Sequence, residues 1–260
     1  MSTAPGKLRT AAAQIGSGSD PQANLETVER AIHDAVAQGA RLVVLPEAAM
    51  ACFGTDLRQV AEPLDGAWAG AVRRVALDQG VTVVVGMFEP SEDGRVHNTL
   101  LITGPELAAA YRKIHLYDAF GARESDTVAP GDEHVVVSVD GVRVGVATCY
   151  DLRFADQFTA LGRAGAELIV VPASWGEGPG KAEQWDLLVR ARAADAQAWL
   201  LACDQMWTPP RGTDPLGVGR TALVDPTGHL HAQLGHEPEL LVHDIDTEKV
   251  TTARERLPLL

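Results

Sequence analysis

Three side chains of different chemistry stand where apolar runs end. Glu47 follows Leu42-Val43-Val44-Leu45-Pro46, Lys113 closes the run 107–113, and Cys149 follows Val142-Arg143-Val144-Gly145-Val146-Ala147-Thr148. A thiolate attacks where a thiol does not, an ammonium beside it favours the charged sulfur, and a carboxylate within reach takes the proton. Gathered in one pocket, such a set can break a carbon–heteroatom bond through a covalent intermediate. Taken singly each has a plainer explanation: a free cysteine is most often a small buried hydrophobe, and a lone Glu or Lys is most often solvated. Cys203, after the apolar run 198–202, reads as core. Cys52, in the loop after Glu47, reads as a pocket wall or as filler. Three cysteines at wide spacing, without CxxC pairs, read as reduced thiols rather than as disulfides or zinc ligands. The eight histidines show no HxxxH-like ligand spacing and no Gly-x-Ser-x-Gly elbow is present, so neither a metal, a cofactor nor a serine nucleophile is expected.

The elements that must position these groups alternate. Residues 8–15 read as a strand, and Asp20 then caps a helix with Pro21 at its first position and apolar residues at Leu25, Val28, Ile32 and Val36 until Gly39. Residues 41–45 read as a strand covered on both faces, 65–79 as a helix and 81–89 as a third strand. Strand-like runs at 96–103 and 107–113 flank a Thr-Gly-Pro-Glu turn, and the mixed composition of 117–132 reads as a functional loop. Residues 135–139 and 142–148 form a hairpin about Asp140-Gly141. Helices are expected at 154–164, 181–199 and 247–256, and strands at 168–171, 200–203, 217–224, 229–233 and 240–245. This order predicts an α/β chain, two mixed sheets packed together with helices outside, an α-β-β-α sandwich forming one domain over 1–260. The crevice beyond the carboxyl ends of its strands is where ligands bind in such folds.

Composition narrows the partners. A hydrophobic share of 46% with 22% charged residues is ordinary for a globular chain, and no apolar run is long enough to span a bilayer. Residues 1–10 hold no apolar segment of signal-peptide length, so a cytoplasmic protein is expected. With 22 Lys and Arg against 35 Asp and Glu, the formal charge of −13 argues against nucleic acid as a partner.

Four ordered segments resemble the nitrilase superfamily, the carbon–nitrogen hydrolases with a Glu-Lys-Cys triad. They are Leu45-Pro46-Glu47, Tyr111-Arg112-Lys113-Ile114-His115-Leu116, Glu124-Ser125-Asp126-Thr127-Val128-Ala129-Pro130-Gly131-Asp132 and Cys149-Tyr150-Asp151-Leu152-Arg153-Phe154. The resemblance implies the α-β-β-α fold and a homodimer or larger assembly. It implies Cys149 as nucleophile, Glu47 as general base and then acid, and Lys113 with the backbone N–H of Tyr150 as oxyanion donors. Glu124 matches a second glutamate that positions substrate and triad. Tyr117 and its loop are expected to close over the substrate, and Trp175 either to line the pocket or to pack.

Cys149-Tyr150-Asp151 is similar to the amidase-like branches, whereas nitrilases usually carry Cys-Trp-Glu, so amide hydrolysis is favoured over nitrile hydrolysis. The run through Phe154 resembles ω-amidases and deaminated-glutathione amidases, which release a carboxylate and ammonia from a small amide by way of a thioester. A β-ureidopropionase-like carbamoyl hydrolase fits the same triad, and a silent binding protein on this fold is disfavoured because all three groups are intact. The chain departs from the branch at Gly219-Arg220-Thr221, where Gly-His-Ser is common, and at Glu183-Gln184-Trp185, where Ala-His-Trp is common. Both departures are expected to reshape the pocket.

Overall fold

The computed structural model describes residues 6–208 and 217–260, so the first five residues of the segment read for a leader lie outside the described residues. The first half of the chain forms β1 (Lys7–Gln14), α1 (Pro21–Ala37), β2 (Leu42–Val44), α2 (Leu57–Val60), α3 (Ala67–Gln79), β3 (Thr82–Pro90), β4 (Val96–Gly104) and β5 (Leu107–Arg112). The second half forms β6 (Val135–Val139), β7 (Val142–Val146), α4 (Ala155–Arg163), β8 (Leu168–Ala173), α5 (Lys181–Ala196), β9 (Trp199–Asp204), β10 (Ala222–Val224), β11 (Leu230–Gln233), β12 (Glu239–Asp246) and α6 (Glu248–Arg256).

Two six-stranded sheets result, in the orders β12-β1-β2-β3-β4-β5 and β11-β10-β9-β8-β7-β6. In each, three parallel strands are flanked by antiparallel ones: β1, β2 and β3 in the first sheet, β7, β8 and β9 in the second. Alternation along the strands builds the layers. Val43, Val83 and Val85 face α1 and α3, while Val44 and Val84 face the other sheet. On the second sheet Val144, Val170 and Leu201 meet that inner face, and Ile169, Val171 and Leu200 pack under α4 and α5. The continuous apolar runs thus serve strands with both faces covered, and each such side chain contributes about 1.5–3 kcal/mol of burial. The four-layer α-β-β-α sandwich expected from the order of elements is the architecture found.

The differences are local. The helix expected over 181–199 stops at Ala196, because Gln197 turns left-handed at φ +44° and Trp199 opens β9, its indole donating to Asp246 O at 2.8 Å. Residues 217–221 lie outside β10. The short helix α2, capped by Asp56, was not legible in four residues. The strand carrying Cys149 ends at Val146, and Cys149–Arg153 is a 3₁₀ turn.

Candidate active site

Each of the three chemistry-bearing residues is held by backbone as well as by burial. Glu47 follows β2, and the chain turns sharply after it because Ala48 takes φ +56°. Gly86 of β3 makes room for that turn. A Cβ there would lie 2.5 Å from Ala48 N and 2.7 Å from Glu47 Cα. The Gln205 amide, just past β9, donates to the Glu47 carbonyl at 2.9 Å. Lys113 extends the β4–β5 ladder by one rung, its N–H donating to Asn98 O at 2.9 Å and its carbonyl accepting from Gly131 N at 2.8 Å.

Cys149 sits at φ +44°, a left-handed conformation that costs a non-glycine residue roughly 1–2 kcal/mol. A capping box sustains it. Thr148 N–H donates to Asp151 Oδ2 at 2.8 Å, and the Thr148 hydroxyl also donates to Pro172 O at 2.8 Å. Asp151 is fully buried and gathers further donors: Tyr111 Oη at 2.6 Å, His115 N at 3.1 Å and His115 Nδ1 at 2.9 Å. The His115 ring stacks on Phe154 with centroids 3.6 Å apart. One carboxylate therefore ties the segment that carries Lys113 to the turn that carries Cys149.

The side chains then converge. Lys113 Nζ lies 3.0 Å from Glu47 Oε1 and 3.1 and 2.9 Å from the two oxygens of Glu124. Asn98 Nδ2 donates to Glu47 Oε1 at 2.7 Å and to Glu124 Oε1 at 3.2 Å, and Ser174 N donates to Glu47 Oε2 at 2.9 Å. Tyr117 N donates to Glu124 Oε2 at 2.6 Å. The Cys149 thiol lines the same cavity, and the Glu47 carboxylate, the Lys113 charge and the Ser174 N–H act on it. Burial raises the Cys149 pKa well above the usual thiol range and the Glu47 carboxylate raises it further, which outweighs the Lys113 ammonium. Burial and the carboxylate thus favour the thiol, and the ammonium the thiolate. Burial acts to lower the Lys113 pKa, but the carboxylates of Glu124 and Glu47 outweigh it and hold the ammonium charged.

A cavity of about 670 Å³ opens onto this cluster, and Glu47, Lys113, Tyr117, Glu124, Cys149, Tyr150 and Trp175 all line it. Trp175 both lines and packs, its indole tilted against Trp185 with centroids 5.6 Å apart. Of the two departures from the branch pattern, Gln184 lines the cavity. Arg220 is outside it, paired with Asp186 and Gln233. Cys203 is core, and Cys52 lies off the cavity beside Thr55.

Three residues in or beside this site were not singled out from sequence. Asn98 gives no signal as an isolated amide in a strand. Arg153 and Lys181 line the cavity, and among the described residues neither is in an ion pair. The Arg153 guanidinium lies 5.0 Å from the Trp175 ring centre and 5.7 Å from that of Tyr150. It donates to Gln184 Oε1 at 2.6 Å, and its buried Nε has no hydrogen-bond partner. Lys181 Nζ donates to Tyr117 Oη at 3.1 Å and lies 4.3 Å from the Phe120 ring centre. A cationic wall on a chain of charge −13 was the signal to look for.

A buried thiol and a carboxylate–ammonium pair lining one cavity, on a double-sheet sandwich, fit the nitrilase-like class of hydrolases. The chain belongs to the carbon-nitrogen hydrolase family, whose model matches residues 9–255. It is 52% identical to a Mycobacterium tuberculosis hydrolase over 97% of this chain and 94% of that protein. It is 33% identical to deaminated glutathione amidase of Escherichia coli O157:H7, over 97% of this chain and 96% of that one. Among solved structures it superposes on Saccharomyces cerevisiae Nit3, a member of branch 10 of the nitrilase superfamily, with a TM-score of 0.87 and 26% identity, covering 97% of this chain and 95% of that chain.

Proposed function

We propose that this carbon–nitrogen hydrolase cleaves the amide of a small carboxylic acid through a thioester on Cys149. The observation that carries the reading is that Cys149, Glu47 and Lys113 line one cavity, with Lys113 paired to Glu47 at 3.0 Å. Glu47 takes the thiol proton as sulfur attacks the amide carbon, because the resting thiol is not itself nucleophilic enough. The oxyanion is met by Lys113 and the backbone N–H of Tyr150. Lys113 has three N–H donors, two directed at Glu47 and Glu124, which leaves one for the oxyanion. Such a donor is worth about 2.7–4 kcal/mol in other enzymes. Collapse breaks the C–N bond, and Glu47 gives its proton to the departing nitrogen. Glu47 then takes a proton from water as its oxygen attacks the thioester, and the free acid and the thiol are restored. Glu124 orients Lys113, while Tyr117 and Trp175 wall the substrate.

Arg153 and Lys181 support an acyl half that carries its own carboxylate, since cations outside every ion pair of the described residues favour an anion in a partly dry pocket. That selects the monoamide of a short dicarboxylic acid, in keeping with the ω-amidase and deaminated-glutathione-amidase resemblance. The chain acts as one domain, since residues of both sheets line the cavity. It works in the cytoplasm as a homodimer, with the exposed Leu187 of α5 and Leu257 and Leu259 beside its end covered by a second copy.

The test is mass spectrometry of protein mixed with a panel of dicarboxylic monoamides, neutral amides and carbamoyl acids. An acyl adduct on Cys149, with ammonia released by wild type and not by Cys149→Ala, is expected. Ammonia release unchanged in Cys149→Ala excludes the nucleophile.

A further inference from the structure

Asn98 lies in β4, 1% exposed, opposite Phe88 of β3. Its amide nitrogen has two hydrogens, and both are committed, one to Glu47 Oε1 at 2.7 Å and one to Glu124 Oε1 at 3.2 Å. Lys113 Nζ donates to the same two oxygens at 3.0 and 3.1 Å. Two carboxylate oxygens and two nitrogens thus close a ring of four hydrogen bonds in which only one donor is charged. Flipping the amide would turn its oxygen toward both carboxylates, so the orientation is fixed by its surroundings. That orientation has a cost, because Oδ1 is buried with no hydrogen-bond partner, a loss that weighs against stability.

The ring divides the labour of the Glu47 carboxylate. Among the described residues Oε1 accepts two strong donors and Oε2 accepts one, the N–H of Ser174, which also acts on the Cys149 thiol. A proton arriving at Oε1 would displace a donor; one arriving at Oε2 does not.

We propose that Asn98 is the positioning residue of this site: it commits Glu47 Oε1 and, with Lys113, leaves Oε2 as the oxygen that exchanges the proton with Cys149. The inference rests on Glu47 being the base. The charged and titratable groups that face Glu47 are Lys113 from the end of β5, Glu124 from the loop after it, Cys149 from the turn after β7, and Asp204 from the end of β9. Among these only Lys113 is cationic. Without Asn98, two carboxylates share that one cation, and protonation of the pair sets in at higher pH.

The test needs no substrate. Iodoacetamide alkylates Cys149, with sulfur displacing iodide and the thiol proton passing to Glu47, and peptide mass spectrometry separates this label from Cys52 and Cys203. Rates are measured against pH for wild type, Glu47→Gln, Asn98→Ala, Asn98→Ser and Asn98→Asp, with melting curves for each. Glu47→Gln is expected to flatten the acid limb. Asn98→Ala is expected to move that limb up by about one pH unit and to slow labelling near the old midpoint several-fold, with Asn98→Ser between it and wild type. Asn98→Asp, which adds a third carboxylate, is expected to move the limb further. A merely structural amide would lower the melting temperature and leave the limb in place. A limb that stays put in Asn98→Asp and in either neutral variant overturns the inference. Wild-type labelling in Glu47→Gln would instead overturn the reading of Glu47 as base.

Discussion

Asp151→Asn tests how the turn holding Cys149 is built. Oδ2 of Asp151 accepts from Thr148 N and Tyr111 Oη, at 2.8 and 2.6 Å, and Oδ1 accepts from His115 N and Nδ1, at 3.1 and 2.9 Å. An asparagine keeps one acceptor oxygen and turns an NH₂ toward the other pair, so in either orientation one backbone N–H, that of Thr148 or that of His115, loses its acceptor. Tyr111 Oη, which already accepts from Gln157 Nε2 at 3.0 Å, can accept from that NH₂. A buried donor left without its acceptor costs about 1–3 kcal/mol. For a chain of this length that lowers the melting temperature by about 2–12 °C. Turnover falls further than stability does when the NH₂ faces Thr148, because the bond then lost is half of the capping box that holds Cys149 at φ +44°. Calorimetry and ammonia release on the same preparations check both. A melting temperature within about 1 °C of wild type, with turnover unchanged, would refute the capping account.

Lys113→Met leaves Glu47 and Glu124 buried without their cation, so a loss of about 3–5 kcal/mol is expected with loss of turnover. Adding Glu124→Gln should recover part of the stability in a urea melt and none of the turnover. Gly86→Ala drives a Cβ against Ala48 N, and is expected to displace Glu47 and cut turnover at least tenfold, read as kcat/KM. Asp225 accepts from Thr227 N and Oγ1, His229 N and His231 Nε2; burial acts to raise its carboxyl, but these donors outweigh it and bring it down from 3.8 to about 2. Being depressed on folding, it stabilises the fold above the unfolded value and loses that contribution as pH falls toward about 2. Asp225→Asn should therefore cost about 1 kcal/mol at pH 7, after allowing for solvent screening, and the gap from wild type should close between about pH 4 and 2 in denaturant titrations.

Strand ends were the most legible feature of the sequence, since doubly covered strands read as unbroken apolar runs and the residue after each run is conspicuous. Glu47, Lys113 and Cys149 stood out for that reason, and the loop before residue 132 for its mixed composition. What sequence did not disclose depends on side-chain partners distant along the chain. Asn98 matters only because Glu47 and Glu124 meet beside it, 51 and 26 positions away. Arg153 falls within the motif that drew attention to Cys149, yet its place on the cavity wall, outside every ion pair of the described residues, shows only in three dimensions. The end of α5 at Gln197 was missed because the apolar periodicity runs on into β9, and nothing in composition marks a left-handed Gln.

The protonation of the resting sulfur decides how the site works. Were Cys149 held as a thiolate by Lys113, Glu47 would have no proton to take, and its removal would matter chiefly at the leaving-group step. Burial and the neighbouring carboxylate instead raise the thiol's pKa, which in the proposed mechanism couples attack to proton removal. In that proposed mechanism the ammonium, held between two carboxylates, serves where negative charge develops, on the carbonyl oxygen. Alkylation of Cys149 near neutral pH should accordingly be much slower in Glu47→Gln than in wild type, whereas a preformed thiolate would label at similar rates in both.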